Sequence, residues 1–120
     1  MTQSELFDLN SLAEAKRTMK AKFGTMVQYF LEDSESYIIA IKEAITANNV
    51  EAIISPSHTL KSSSKQMGAE RLSNISKEIE AMAREQTSAG KSDFTAFHAM
   101  VDELQTIFIE TKSALPAHTT

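Results

Sequence analysis

The side chains suited to nucleophilic or proton-transfer chemistry near neutral pH are three histidines, His58, His98 and His118. The chain has no cysteine, which excludes a thiolate nucleophile, a thiolate metal site and a disulfide framework. No histidine stands in a metal-ligand spacing such as His-Glu-x-x-His, so a metal site has little support. His118 lies in the terminal segment Leu115-Pro116-Ala117-His118-Thr119-Thr120, which reads as a flexible end. His98 adjoins Phe97 and reads as a half-buried or surface side chain.

His58 differs through its neighbours. On a helix turning about 100° per residue, it lies roughly 120–130° from the centre of the apolar stripe formed by Ile53, Ser57, Leu60, Ser64 and Met67. It is therefore exposed or at the rim. Ile54, Lys61, Ser62 and Lys65 share its side of the helix, at three- and four-residue steps. One strip thus carries an imidazole, two ammonium groups and a small hydroxyl residue. Such a strip can hold a phosphoryl group. Neutral imidazole offers a ring lone pair, and the phosphoryl group brings roughly two negative charges. Lys61, one turn along, and Lys65, two turns along, can neutralise part of that charge. The small residues Ser62 and Ser63 leave room for another protein to approach. The strip has no partner carboxylate, no metal ligand and no Gly-rich nucleotide loop, so nothing in it would activate ATP. From spacing alone, the plainer reading outweighs this one: a rim histidine beside an ordinary lysine.

The elements that must position these residues are helices. Gly and Pro are sparse, at three and two, and Ala, Glu, Lys, Ile and Met are plentiful. Apolar residues recur at steps of three and four. A short first helix is expected around Leu6 to Met19, with a turn near Asn10-Ser11. Gly24 then marks a break before a second helix from about Thr25 to Ala47. Its stripe is Val27, Phe30, Ser34, Tyr37, Ile41 and Ala44, widened by Ile38 and Ile45. Asn48-Asn49 makes a turn. The third helix, Val50 to Met67, carries His58 and is ended by Gly68. Pro56 either kinks it or restarts it with Ser55 as N-cap. A fourth runs from Ala69 to about Gln86 on Leu72, Ile75, Ile79, Met82 and Ala83. After a loop at Thr87-Ser88-Ala89-Gly90, Ser92 or Asp93 caps a fifth, built on Phe94, Phe97, Val101, Leu104, Phe108 and Leu115. Four long amphipathic helices with short connections predict an all-α, up-down-up-down antiparallel four-helix bundle with a short extra N-terminal helix.

Length suits one domain over residues 1–120, ordered from about 4 to 114 with a flexible tail at 115–120. Net charge is −4 and the isoelectric point is near 5.3, which argues against nucleic acid as a partner. The longest apolar run, around Tyr37 to Ile41, is far too short to span a membrane. The N-terminal residues lack a secretory signal. The reading is a soluble cytoplasmic protein.

Read whole, the string His58-Thr59-Leu60-Lys61-Ser62-Ser63-Ser64-Lys65-Gln66-Met67-Gly68 resembles the signature of histidine-containing phosphotransfer (HPt) domains. That pattern is His, any residue, Leu, Lys, Gly, a small residue, Ser or Ala, and then Gly ten residues after the His. The segment from Tyr29 to Ile45 resembles the family's second helix, and Asn48-Asn49 falls at its usual turn. The likeness extends from Phe23 to about Phe108, and within the family it is similar to stand-alone proteins of bacterial quorum-sensing relays. Two departures stand out: Ser62 replaces the usual Gly, and Pro56 lies two residues before the histidine.

The resemblance implies a phosphorelay intermediate. A receiver domain of a hybrid histidine kinase, carrying phospho-aspartate, would dock over His58. The imidazole Nε2 would attack in line, and the phosphoryl group would pass on to a response regulator. The Mg²⁺ and acidic residues would belong to the receiver, and this chain would have neither cofactor nor ATP site. Docking would use Ile54, Ser62, Ser63 and Gly68, together with Phe7, Leu9, Leu12 and Met26. A free-standing monomer is expected. Two other readings compete. One is a non-phosphorylated helical adaptor that binds and inhibits a receiver or kinase; the more distant one is a hydrolase or metalloenzyme.

Overall fold

The structure, a computed structural model, describes residues 1–119; Thr120 lies outside the described residues. Its elements are α1 (Gln3–Leu6), α2 (Leu9–Met19), α3 (Phe23–Thr46), α4 (Glu51–Gln66), α5 (Glu70–Ala89) and α6 (Thr95–Ala114). Short 3₁₀ turns occupy Lys20–Lys22 and Leu115–Thr119. No strand occurs among the described residues.

The long helices α3 to α6 form the antiparallel bundle. Each packs on the next, and α3 closes the ring against α6. Their buried faces match the apolar periodicity: Val27, Phe30, Ile38 and Ile41 from α3, Ile53 and Leu60 from α4, Leu72, Ile75 and Ile79 from α5, and Phe97, Leu104, Ile107 and Phe108 from α6. Three of the small polar residues on these faces satisfy themselves locally. Ser57, Ser76 and Thr111 each donate a hydroxyl hydrogen bond to the carbonyl four residues back, at 2.7–2.8 Å.

The N-terminal region differs from the sequence expectation. It forms two helices, separated at Phe7-Asp8 rather than at Asn10-Ser11. Asp8 caps α2, its Oδ1 accepting from the backbone N–H groups of Asn10 and Ser11. Gly24 is not the break before α3; it lies in the first turn of that helix, and the chain turns at Lys20 instead.

Other ends follow chemistry the sequence displayed. Asn48 takes the left-handed conformation (φ 54°), and Asn49 Oδ1 accepts from Ala52 N–H to cap α4. Pro56 neither stops nor restarts α4, which runs through it. Gly68 ends α4 at φ 77°. The helix α5 continues through Thr87-Ser88-Ala89, and only Gly90 leaves it. Asp93 Oδ1 accepts from Thr95 N–H at the start of α6. Of the tail expected to be flexible over 115–120, Thr120 lies outside the described residues, and the rest, Leu115–Thr119, is docked. Leu115 is fully buried, His118 Nε2 lies 2.7 Å from Gln3 Oε1, and its ring meets the edge of Phe7. Apolar burial of Leu115 is what holds a segment that composition alone marked as free.

Candidate functional site

The site begins on α4 and is completed by α5. Residues 57, 60 and 64 face the core, which turns His58 outward. Its side chain is 53% exposed. Ser62 is exposed, Lys61 and Ser63 are half-buried, and Lys65 is exposed one turn beyond Lys61. Ile54 is half-buried and packs on the core.

The sequence expectation of a strip without a carboxylate is corrected by α5. Glu80 reaches across from that helix, only 6% exposed, and His58 Nδ1 lies 2.9 Å from its Oε2. The same oxygen accepts a hydrogen bond from Arg84 Nε at 2.8 Å. Lys61 Nζ lies 2.6 Å from the other oxygen, as an ion pair not aligned as a hydrogen bond. Burial on its own would push the Glu80 carboxyl upward. The contacts from Lys61, Arg84 and His58 outweigh that and hold it at about 2. Glu80 is therefore an anion across the neutral range, and an anionic carboxylate can only accept hydrogen bonds.

That fixes the imidazole. Nδ1 must carry the hydrogen that points at Glu80, so the lone pair of the neutral ring belongs to Nε2. Nε2 has no partner among the described residues, and the ring is half open to solvent. Two cations against one carboxylate leave the cluster net positive beside a nucleophilic nitrogen. The chemistry open to it is attack on an electrophile that carries negative charge.

Glu80 and Arg84 were missing from the sequence reading. A signal was present: Glu80 stands between Ser76 and Ala83 on the buried face of α5, where an unpaired carboxylate would be costly. Arg84 follows it by one turn, the spacing of a helical ion pair.

The remaining expected site residues are dispersed. Gly68 is not an access point for a partner. It is buried, and a Cβ built on it would lie 2.6 Å from the backbone nitrogen of Leu12. The missing side chain lets α2 close onto the end of α4, where Asp8 N–H donates to Gly68 O at 2.9 Å. Phe7 and Leu12 are likewise core residues, whereas Leu9 and Met26 are exposed at 47% and 40%.

Fold and cluster together define the class of protein: an all-helical domain that presents one histidine with a free ring nitrogen on a cationic surface. The model of the Hpt domain family matches residues 25–107, more than half of the chain, and the chain belongs to that family. Among solved structures, it is similar to histidine-containing phosphotransfer protein B (HptB) from Pseudomonas aeruginosa PAO1. The two share 24% sequence identity and a TM-score of 0.79, over 90% of this chain and 88% of that one. At that identity the likeness shows the shared fold. No curated protein matches the chain. No helix among the described residues is long and apolar enough to cross a membrane.

Proposed function

We propose that this Hpt-domain protein is a phosphorelay intermediate in which His58 is the phosphoryl acceptor and donor. The observation that carries the reading is the pair formed by His58 Nδ1 and Glu80, which leaves Nε2 as the free nucleophile on the helix face that bears the family motif.

In the proposed reaction, a receiver domain bearing phospho-aspartate docks over α4. The Nε2 lone pair attacks phosphorus, the bond from phosphorus to the aspartyl oxygen breaks, and its electron pair returns to the aspartate carboxylate. The imidazole keeps its Nδ1 hydrogen and becomes cationic, and Glu80 stabilises that charge at hydrogen-bond distance. Lys61, paired with Glu80 by charge, and Arg84, with N–H donors beyond the one given to Glu80, supply positive charge to the phosphoryl oxygens; Lys65 adds to the field. Mg²⁺ and the acidic residues come from the receiver. The reverse sequence, with the aspartate of a second response regulator as nucleophile, passes the group on. Ser62 and Ser63 keep the approach low, and exposed Leu9 and Met26 with half-buried Ile54 provide apolar contact.

The test is uptake of acid-labile label from a phosphorylated receiver. Wild type should be labelled, and His58→Gln should not, while its circular dichroism stays unchanged. If wild type takes no label from any receiver of its organism, the reading fails. A non-phosphorylated adaptor would bind receivers equally well with either residue at 58.

A further inference from the structure

The corner between α2 and α3 is made by one residue. Lys20 has φ 52° and ψ −125°, a region that side chains other than glycine rarely occupy. Its neighbours are helical: Met19 at φ −82° and ψ −23°, Lys22 at φ −86° and ψ −7°, Phe23 at φ −57° and ψ −46°. The local sequence, Arg17-Thr18-Met19-Lys20-Ala21-Lys22-Phe23, consists largely of good helix formers, and Gly24, which follows it, is already accommodated inside helix α3. Local preference therefore favours one unbroken helix, and tertiary contacts impose the bend.

Those contacts do not involve the corner. Leu6, Phe7, Leu12 and Ala15 are buried against the bundle. Asp8 N–H reaches Gly68 O, the α-amino group of Met1 pairs with Glu110 at 2.5 Å, and Phe7 meets His118. The three named pairs join residues 1–8 to residues 68–118, and α2 packs besides on α3 and α4; none of these contacts requires the arm and the bundle to belong to one chain, so the arm of an identical chain can make them.

We propose that residues 1–19 exchange between two copies of this chain, with Lys20 reverting to helical geometry and Leu9–Thr46 becoming a single helix. The occupant of the vacated groove is the partner's arm, which the groove already fits. Exchange keeps the arm's contacts and releases the strain at both corners, so a monomer and an exchanged dimer stand in equilibrium. It also touches the site described above. Asp8 and Ser11 of α2 line a cleft of about 510 Å³ together with Lys61, Ser62 and Lys65. In the exchanged dimer, each such cleft is completed by the other copy.

The absence of native cysteine makes the test direct. Ser11 of α2 and Lys65 of α4 line two clefts in common. Chains carrying only Ser11→Cys are mixed with chains carrying only Lys65→Cys, concentrated, and oxidised. Mixed disulfide dimers are expected. A Lys91→Cys partner, placed at the opposite end of the bundle with Asn48 and Glu51, should give none. In the cysteine-free chain, Lys20→Gly tolerates the bent corner and weakens the continuous helix. It should raise the dimer dissociation constant roughly 25-fold, about fivefold for each of two corners. Wild type that stays monomeric up to millimolar concentration with no Ser11–Lys65 link would overturn the proposal. So would equal linking to the Lys91 variant, or a dimerisation constant unchanged by Lys20→Gly.

Discussion

Glu80 ties the structure of the site to a measurable dependence on pH. Its carboxyl titrates at about 2 in the folded chain, against an ordinary 4.5. Each pH unit between the folded and unfolded values corresponds to about 1.4 kcal/mol, so the difference is worth ~3 kcal/mol of folding stability. The carboxylate is only 6% exposed, but His58 and Arg84 are more than half exposed, so solvent screening makes this figure an upper bound. Because the folded value is depressed, the contribution is fully present above pH 4.5 and is lost as pH falls towards 2. Glu80→Gln keeps the shape and removes the titration. Urea unfolding of both proteins at pH 6 and near pH 2 isolates the effect. Depressed carboxyls elsewhere, Glu5, Asp8 and Asp93, are common to both proteins and cancel. Wild type should lose up to ~3 kcal/mol more than Glu80→Gln over that interval. A difference below about 1 kcal/mol would refute the reasoning that Lys61, Arg84 and His58 together hold the buried Glu80 carboxyl ionised. The variant has a second readout. An amide oxygen orients Nδ1–H less strongly than a carboxylate does. Labelling of His58 should therefore slow about tenfold with Gln at 80, and up to about 100-fold with Ala.

Further outcomes follow from the same geometry. Lys61→Met should slow label uptake and move the Glu80 transition upward towards 4.5, visible in the carboxyl ¹³C shift against pH; an unmoved transition would remove Lys61 from the cluster. Gly68→Ala should cost more stability than Gly90→Ala, although both glycines have positive φ. Each pays about 1–2 kcal/mol for the left-handed backbone, but only at 68 does the new methyl meet the Leu12 backbone, at 2.6 Å, with nothing within 4 Å at 90. Equal losses in urea would refute the close approach of α2. Leu60→Ala, at a fully buried position beside the site, should cost about 2–5 kcal/mol while leaving the pH dependence attributed to Glu80 in place; loss of that dependence would show that the cluster rests on the core rather than on its own contacts.

Much of this molecule is local, and local features are written in the sequence. The stripe Ile53, Ser57, Leu60, Ser64 buries one face of α4, and that alone turns His58 to solvent. The turns at Asn48 and Gly68 follow from residue types that tolerate positive φ. The motif from His58 to Gly68 carries the resemblance to the family whose model matches residues 25–107. Where sequence reading failed, the deciding partner lay far along the chain or on another element. Glu80 is 22 residues from His58, and periodicity says which face a residue takes but not which face it meets. Gly68 read as an opening until Leu12 was seen to fill it. The terminal segment read as free because nothing in its composition reveals that His118 meets Gln3 and Phe7 at the other end of the chain. Lys20 is the sharpest case: the residues from Arg17 to Lys22 favour helix and the sequence puts the break at Gly24, yet the docking of Leu6, Phe7 and Leu12 bends the chain at Lys20. The sequence by itself determined the helices, their inward faces and the exposed histidine, because these depend on neighbours within two turns. Tertiary structure alone decided which carboxylate holds that histidine, which nitrogen it leaves free and where the chain must turn, because each depends on contacts between elements that no local period encodes.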